Sequence, residues 1–214
     1  MAARAKARGR LVVLEGLDGA GTTTQARLLG ERLRDSGRRV HVTAEPSGGP
    51  VGTLIRQVLS RRVVGGRGGG EFDAGALALL FAADRLDHVA AEIAPKLADG
   101  VDVVSDRFTL SSLAYQGLTT DDLAWVEAIN ARAAEPDATI FLRVRSQVAL
   151  RRRRAASMDP ELFEVSEFQR EVARSYARAL ERLRETGQRV IEVDGETPVE
   201  VVADAVWAAV RTLD

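Results

Sequence analysis

Hydrophobic and polar positions along this chain follow two periods that take turns. Five short apolar runs, at 10–15, 39–43, 101–105, 138–142 and 189–193, read as buried strands. Between them apolar residues recur at helical spacing. Ala26, Leu29 and Leu33 share one face of a helix over 22–33, and Val51, Leu54, Ile55, Val58 and Leu59 recur in the same way after the turn at 48–50. Further helices are predicted over 73–97, with a bend at Pro95, and over 121–134, capped by Thr120 or Asp121. Helices over 147–154, 167–186 and 199–213 complete the pattern. The glycine-rich stretch 64–70 reads as a flexible connection, and 155–163 has no clean period. Strands separated by helices predict an α/β fold with a parallel sheet, helices on both faces, and ligands beyond the C-terminal strand ends.

The first strand-to-helix turn carries the most specific chemistry. Gly16 to Thr23, GLDGAGTT, fits the phosphate-loop pattern G-x-x-x-x-G-K-[ST] at every fixed position but one: Thr22 stands where the lysine belongs. Gly16, Gly19 and Gly21 let backbone N–H groups face an anion, and the helix N-terminus adds its dipole. Thr23 has the hydroxyl that would hold Mg²⁺. Thr22 donates one neutral hydrogen bond where a lysine would place a charge on the β- and γ-phosphates.

Composition narrows the partners. A chain of 214 residues, 45% hydrophobic, suffices for one core, read as a single domain over 10–214 behind a flexible basic tail over 1–9. A net charge of −1 gives no sign of a nucleic-acid or membrane partner, and the absence of cysteine excludes disulfides and thiolate metal sites. No apolar run is long enough to span a bilayer, so the cytoplasm is the expected location. The lysines are Lys6 and Lys96, and neither suits the loop, so a compensating cation is expected to be an arginine.

Further polar clusters follow strands or line the helices nearby. Asp106 and Arg107 close the third strand, where a carboxylate could organise Mg²⁺ and a guanidinium could clamp a phosphate; a local salt bridge is the plainer alternative. Phe81 and Arg85 lie four apart on one helix face, suited to stacking on a base and donating to its carbonyls, or else to ordinary core and solvent roles. Ser111, Ser112, Tyr115 and Gln116 form a denser group, with Ser112 and Gln116 spaced to meet a pyrimidine edge. Arg151 to Arg154 lie at the start of the aperiodic stretch, either as a solvated face or as cations closing over phosphates.

In this order the motifs resemble those of the thymidylate kinases, P-loop kinases that phosphorylate dTMP with ATP. The markers are LEGLDGAG at 14–21, Glu45-Pro46, LFAADR at 80–85, SDR at 105–107 and SSLAYQG at 111–117, and the likeness runs from about 10 to 213. The resemblance implies a three-layer P-loop NTPase fold with a small lid over about 153–164, Mg²⁺ as cofactor, dTMP and ATP as partners, and a homodimer. It implies that ATP is bound by Gly16, Gly19, Ala20 and Gly21 with Thr22, Thr23 and Thr24, and that adenine lies near 195–198. It assigns Asp18 to the sugar 3′-hydroxyl, Arg56 and Arg107 to the acceptor phosphate, Phe81 and Arg85 to thymine, and Ser112 and Gln116 to the base edge. Ser111 and Glu45 belong to the same dTMP site. Tyr115 would crowd the 2′ position. Asp106 and Thr23 would hold the metal, with Glu45 nearby, and Glu164 would reach substrate or a metal water.

Because the loop has no arginine, the chain looks like the members whose catalytic arginine lies in the lid, and Arg152 and Arg154 are the leading candidates. The catalytic set is therefore Asp106, Arg107, Arg152 and Arg154. Thr22, Ala44 and Leu162 all depart from the family pattern by losing positive charge. The primary reading is an active dTMP kinase, with a catalytically impaired nucleotide-binding homologue as the alternative. A kinase for another pyrimidine monophosphate is a third.

Overall fold

The computed structural model describes residues 8–65, 70–156 and 163–213, with the side chains of 156 and 163–166 excepted. Five strands, β1 (Leu11–Gly16), β2 (Val40–Ala44), β3 (Asp102–Asp106), β4 (Ala138–Arg143) and β5 (Val190–Asp194), form one parallel sheet in the order β2-β3-β1-β4-β5. Each predicted strand is present within a residue or so of its expected bounds. β1 is central and buried at every position, as expected of a parallel strand covered on both faces. Its residues alternate between two cores. Val12 and Leu14 pack with Leu29, Leu110 and Tyr176, whereas Leu11 and Val13 pack with Ile93, Leu97 and Phe108.

Among the described residues the helices are α1 (Thr22–Asp35), α2 (Pro50–Leu59), α3 (Ala74–His88), α4 (Ala94–Ala98), α5 (Thr109–Thr119), α6 (Leu123–Asn130), α7 (Ser146–Ala156), α8 (Phe163–Glu185) and α9 (Val199–Arg211). Three differ from the sequence expectation. The single helix predicted over 73–97 divides into α3, a π-helical turn at Val89–Ile93 and α4. The wider turn precedes Pro95 and relieves the clash a proline ring makes with the carbonyl four residues back. The helix predicted over 121–134 is only α6, and Asp122 is its cap, accepting from Trp125 N at 2.9 Å. Asp121 instead has φ +53°, which ends α5 and turns the chain. α5 carries the serine-rich motif and has no counterpart among the predicted elements, because its strongly buried small residues show no clean polar face.

The N-terminal tail expected over 1–9 lies outside the described residues up to 7. Arg8 bonds Asp137 at 3.1 Å, and Gly9 N donates to Leu97 O at 2.8 Å. Of the 64–70 loop, Gly65 and Gly70 pair as an antiparallel bridge. The lid segment 157–162, including Leu162, lies outside the described residues, as does the side chain of Glu164. No helix among the described residues is long and apolar enough to cross a membrane.

Candidate active site

The turn after β1 feeds directly into α1 through Gly21, at φ 99° and ψ 18°, a conformation open to glycine and costly for other residues. Gly19 is required for a different reason: a Cβ there would meet the Ala149 carbonyl at 2.3 Å, so the loop packs against the backbone of α7. No side chain caps α1 and its first turn has no acidic residue, so the helix N-terminus remains open to an anion. Thr22 is buried at that terminus.

Beside this loop lies a cavity of about 750 Å³ lined by Gly19, Ala20, Gly21, Thr24, Gln25, Arg152, Arg153, Glu196, Thr197 and Pro198, among others. The expected adenine segment 195–198 thus forms its far wall. Arg152 Nη1 donates to Gly195 O at 2.8 Å and Ala20 O at 3.4 Å, tying α7 to both walls. Arg153 also faces the cavity and lies 3.8 Å from Asp18 Oδ2. Arg154 is exposed and does not line this cavity. The four-arginine run is read by helix phase: only when α7 is packed does 153, rather than 154, point at the loop.

On the other side of Asp18 is a second cationic centre. Arg107 Nη2 donates to Asp18 Oδ1 at 2.5 Å, and its Nη1 donates to Ser111 Oγ at 2.9 Å and Tyr176 Oη at 3.2 Å. The guanidinium also lies 5.5 Å from the centre of the Tyr115 ring. Burial opposes the charge of Arg107, but Tyr176, Tyr115, Asp18 and Glu15 around it hold its pKa above the ordinary arginine value. Burial next to the Asp18 carboxylate pushes the Tyr115 phenol up to about 12.

Asp106 is paired with Leu14 in register, so its carboxylate sits on the strand next to the phosphate loop. Thr23 Oγ1 donates to Asp106 Oδ2, while Asp106 Oδ1 is buried and has no hydrogen-bond partner. An orphaned carboxylate oxygen beside a loop hydroxyl fits a divalent cation that keeps most of its waters. No group of three or more His, Cys, Asp or Glu residues suited to a metal occurs among the described residues, and a magnesium ion carried by nucleotide phosphates needs none.

The residues expected to read the base come together on α3 and α5, which pack on each other. Arg85, however, is only 1% exposed. Its Nε and Nη2 grip Glu45 Oε2 at 2.9 and 2.7 Å, Nη1 donates to Asn130 Oδ1, and Nη2 also reaches Phe108 O and Ser112 Oγ at 3.0 and 3.1 Å. Arg85 therefore already donates to the hydroxyl of Ser112, the residue expected to meet the base edge. Glu45 is committed to Arg85 and to His88 Nδ1 at 3.3 Å. Phe81 is half-buried one turn before Arg85, and Gln116 lies one turn after Ser112. Arg56 is held by the carbonyls of Pro46 and Ser47 at 2.8 and 2.7 Å. Asp84, which the sequence reading passed over, fixes Ser47 through its amide (2.7 Å) and hydroxyl (2.6 Å).

Glu15 and Tyr176 are the other members missed from sequence; Arg153 belongs to the basic run 151–154, within which the sequence favours Arg152 and Arg154 as the leading candidates. A carboxylate inside the apolar run LVVLEG was a usable signal for Glu15; Tyr176, on the apolar face of α8, gave none.

A family model described as thymidylate kinase matches residues 14–206. Among relatives, a "Probable thymidylate kinase" of Pyrococcus abyssi is 39% identical over 95% of this chain and 97% of its own length. The "Probable thymidylate kinase" of Pyrococcus horikoshii is 40% identical over 83% of this chain and 86% of its own. A "Thymidylate kinase" of Thermomicrobium roseum is 41% identical, with 93% of each chain covered.

Proposed function

Since this chain belongs to the thymidylate kinase family, we propose that it transfers the γ-phosphoryl group of ATP to dTMP, giving ADP and dTDP. The observation that carries the reading is the position of Asp18. Its two oxygens face Arg107 on one side and Arg153 on the other, so it stands between the open N-terminus of α1 and the cationic centre at Arg107. An acceptor phosphate on Arg107 and a donor phosphate chain on α1 would meet there.

In this mechanism the first-turn amides of α1 cradle the donor phosphates, and Arg152 and Arg153 close over them. Arg107 and Arg56 hold the acceptor phosphate. Phe81 stacks on thymine, and Ser112 and Gln116 read its edge, with Arg85 fixing Ser112 from below. Tyr115 stands against the sugar and disfavours a 2′-hydroxyl. Asp106 and Thr23 would hold Mg²⁺, which when bound neutralises phosphate charge. The acceptor phosphate oxygen is itself the nucleophile: its bond to the γ-phosphorus forms as the bond to the β-bridging oxygen breaks. No side chain has to form a covalent intermediate, so catalysis is positioning and charge.

Thr22 leaves the loop without its usual ammonium, and Arg153, which lines the same cavity, supplies that charge from the opposite wall. The binding-only alternative that Thr22 raised finds no support in the comparisons. Residues 153–164 are proposed as the lid and the cytoplasm as the place of action, where ATP and dTMP are available. We also propose a homodimer, supported by a stripe on one face of α3 and the π-helical turn. It contains exposed Leu79, Ala83, Leu86 and Ala90.

The test is steady-state transfer from ATP to dTMP with Mg²⁺, with dTDP resolved chromatographically and dUMP and dCMP as competitors. Equal amounts of dTDP and ADP are expected, with dTMP preferred. ATP hydrolysis without dTDP, or preference for another monophosphate, would overturn the proposal.

A further inference from the structure

Glu15 ends β1 with a carboxyl group that is 0% exposed, and the transfer described above makes no use of it. Its two oxygens are divided between two tasks. Oε1 accepts the backbone N–H groups of Phe108 at 2.8 Å and Ser111 at 3.1 Å. Oε2 accepts the Ser111 hydroxyl at 2.5 Å and lies 3.5 Å from the Tyr176 hydroxyl. Tyr176 has a closer acceptor in Gly16 O, at 3.0 Å. With their protons directed at Glu15 and Gly16, Ser111 and Tyr176 turn lone pairs toward Arg107 Nη1, which donates to both.

The backbone of Arg107 makes the same point. Its φ is +72°, a region that is strained for a non-glycine residue and persists only when its surroundings impose it. Arg107 N donates to Leu14 O at 2.9 Å, its carbonyl accepts from Ser105 Oγ at 2.8 Å, and the next amide, Phe108 N, goes to Glu15. Glu15 therefore holds both the strained turn beneath Arg107 and the two hydroxyls that aim its guanidinium. A buried carboxylate is an expensive choice for stability alone, because glutamine would offer the same Oε1 acceptor to the two amides. What the charge adds is the direction of the Ser111 hydrogen bond and an attraction for Arg107.

We propose that Glu15 is a positioning residue for the acceptor-phosphate clamp: acting through Ser111, Tyr176 and the Phe108 amide, its ionised carboxylate holds Arg107 in the orientation that grips the phosphate. The proposal rests on the reading of Arg107 as the acceptor-phosphate ligand. The titratable and charged groups facing Glu15 are Arg107 from the turn after β3 and the phenol of Tyr176 on α8, while Asp18 and Tyr115 face Arg107 in turn; β4 pairs Glu15 with Phe141, which has no charge. Burial raises the Glu15 pKa to about 7, against the Ser111 hydrogen bonds, the Arg107 charge and the Phe108 amide. The clamp thus loosens as Glu15 gains a proton in the neutral range.

Steady-state kinetics of the wild type, Glu15→Gln, Tyr176→Phe, Ser111→Ala and the Glu15→Gln/Tyr176→Phe double variant, from about pH 6 to about pH 8, test this. Glu15→Gln is expected to raise KM for dTMP roughly tenfold, with KM for ATP within about twofold and a smaller change in kcat. Tyr176→Phe and Ser111→Ala should raise the same KM by less, and the double variant should lose less than the product of its single losses. Wild-type KM for dTMP should climb as pH falls through the neutral range. Glu15→Gln should keep only the climb due to the substrate phosphate, near about pH 6. A folded Glu15→Gln protein with unchanged KM for dTMP, or with equal losses toward both substrates, would overturn the proposal. Should Glu15→Gln not fold, unchanged KM values in both Tyr176→Phe and Ser111→Ala would do the same. Wild type that binds dTMP without turnover would sink the kinase reading, and calorimetric dTMP affinities of the same variants would then decide the role of Glu15. Wild type that does not bind dTMP at all would remove both.

Discussion

Thr23 and Asp106 are joined by a direct hydrogen bond from hydroxyl to carboxylate, which locks the first turn of α1 to the end of β3. The bond occupies Asp106 Oδ2 and leaves Oδ1 buried without a partner. Such an oxygen costs about 1–3 kcal/mol unless a cation or its water meets it. Asp106→Asn is expected to lower kcat by ~10²–10³-fold while dTMP affinity changes by less than about threefold. Titrating Mg²⁺ against turnover checks this, and an unaltered Mg²⁺ requirement in the variant would count against Asp106 as a metal group.

Thr22 and Arg153 should be coupled. Thr22→Lys is expected to raise kcat by roughly tenfold or more, because an ammonium on the β- and γ-phosphates stabilises charge that a hydroxyl cannot. Arg153→Ala should then cost roughly tenfold more in the natural background than in the Thr22→Lys background. Arg154→Ala, at an exposed position outside the cavity beside the loop, should stay within about twofold of wild type. Equal losses from Arg153→Ala in both backgrounds would mean that the two positions act independently.

Arg85 supports the fold as well as the base site. Its removal leaves Glu45 buried beside an uncompensated space, so Arg85→Met is expected to destabilise the protein by about 3–5 kcal/mol in urea unfolding. Arg85→Lys should recover little, since an ammonium cannot reproduce the fork that meets Glu45, Asn130 and Ser112 together. A fully stable Arg85→Met protein that merely binds dTMP weakly would show that the pairing has no structural weight.

Stability should peak in mildly acidic solution. Burial raises the Glu15 pKa to about 7. Burial alone would lower that of His88, but Glu45, Glu92 and Asp84 raise it. Groups raised on folding stabilise below their unfolded pKa, and that contribution is lost as pH rises through the folded value. For Glu15 the window runs from its ordinary 4.5 to about 7 and is worth on the order of 3 kcal/mol. Asp102 and Glu92 are shifted the other way. Burial opposes their charge, but Arg38 and His41 respectively lead the hydrogen bonds that hold each below its ordinary value, so their contribution is lost on acidification. Thermal melts across pH should therefore fall on both sides of the peak, and Glu15→Gln should flatten the alkaline side. An alkaline slope unchanged by Glu15→Gln would exclude Glu15 as its source.

The exposed stripe on α3 gives a test of assembly. Leu79→Glu and Leu86→Glu should each shift a homodimer toward monomer in analytical ultracentrifugation. A wild-type chain that sediments as a monomer would end that proposal.

Much of this architecture is local in origin and hence readable in one dimension. Short apolar runs placed all five strands and period-3.6 patterning placed most helices, because a strand covered on both faces is apolar throughout while a helix buries one face. The phosphate loop was legible despite Thr22, since its glycines answer to backbone geometry that a sequence states directly: positive φ at Gly21 and close approach at Gly19. What the residue order left open depended on which side chains meet across elements. Arg153 rather than Arg154 faces the loop only because α7 packs on Gly19. Arg85 reads as a base contact in the motif but is a buried node, because Glu45, Asn130, Phe108 and Ser112 converge on it from three segments. The Glu15 arrangement joins residues up to 161 positions apart, from β1 to α8. Hydrogen-bond direction and desolvation are set by that convergence, and no periodicity along the chain encodes it.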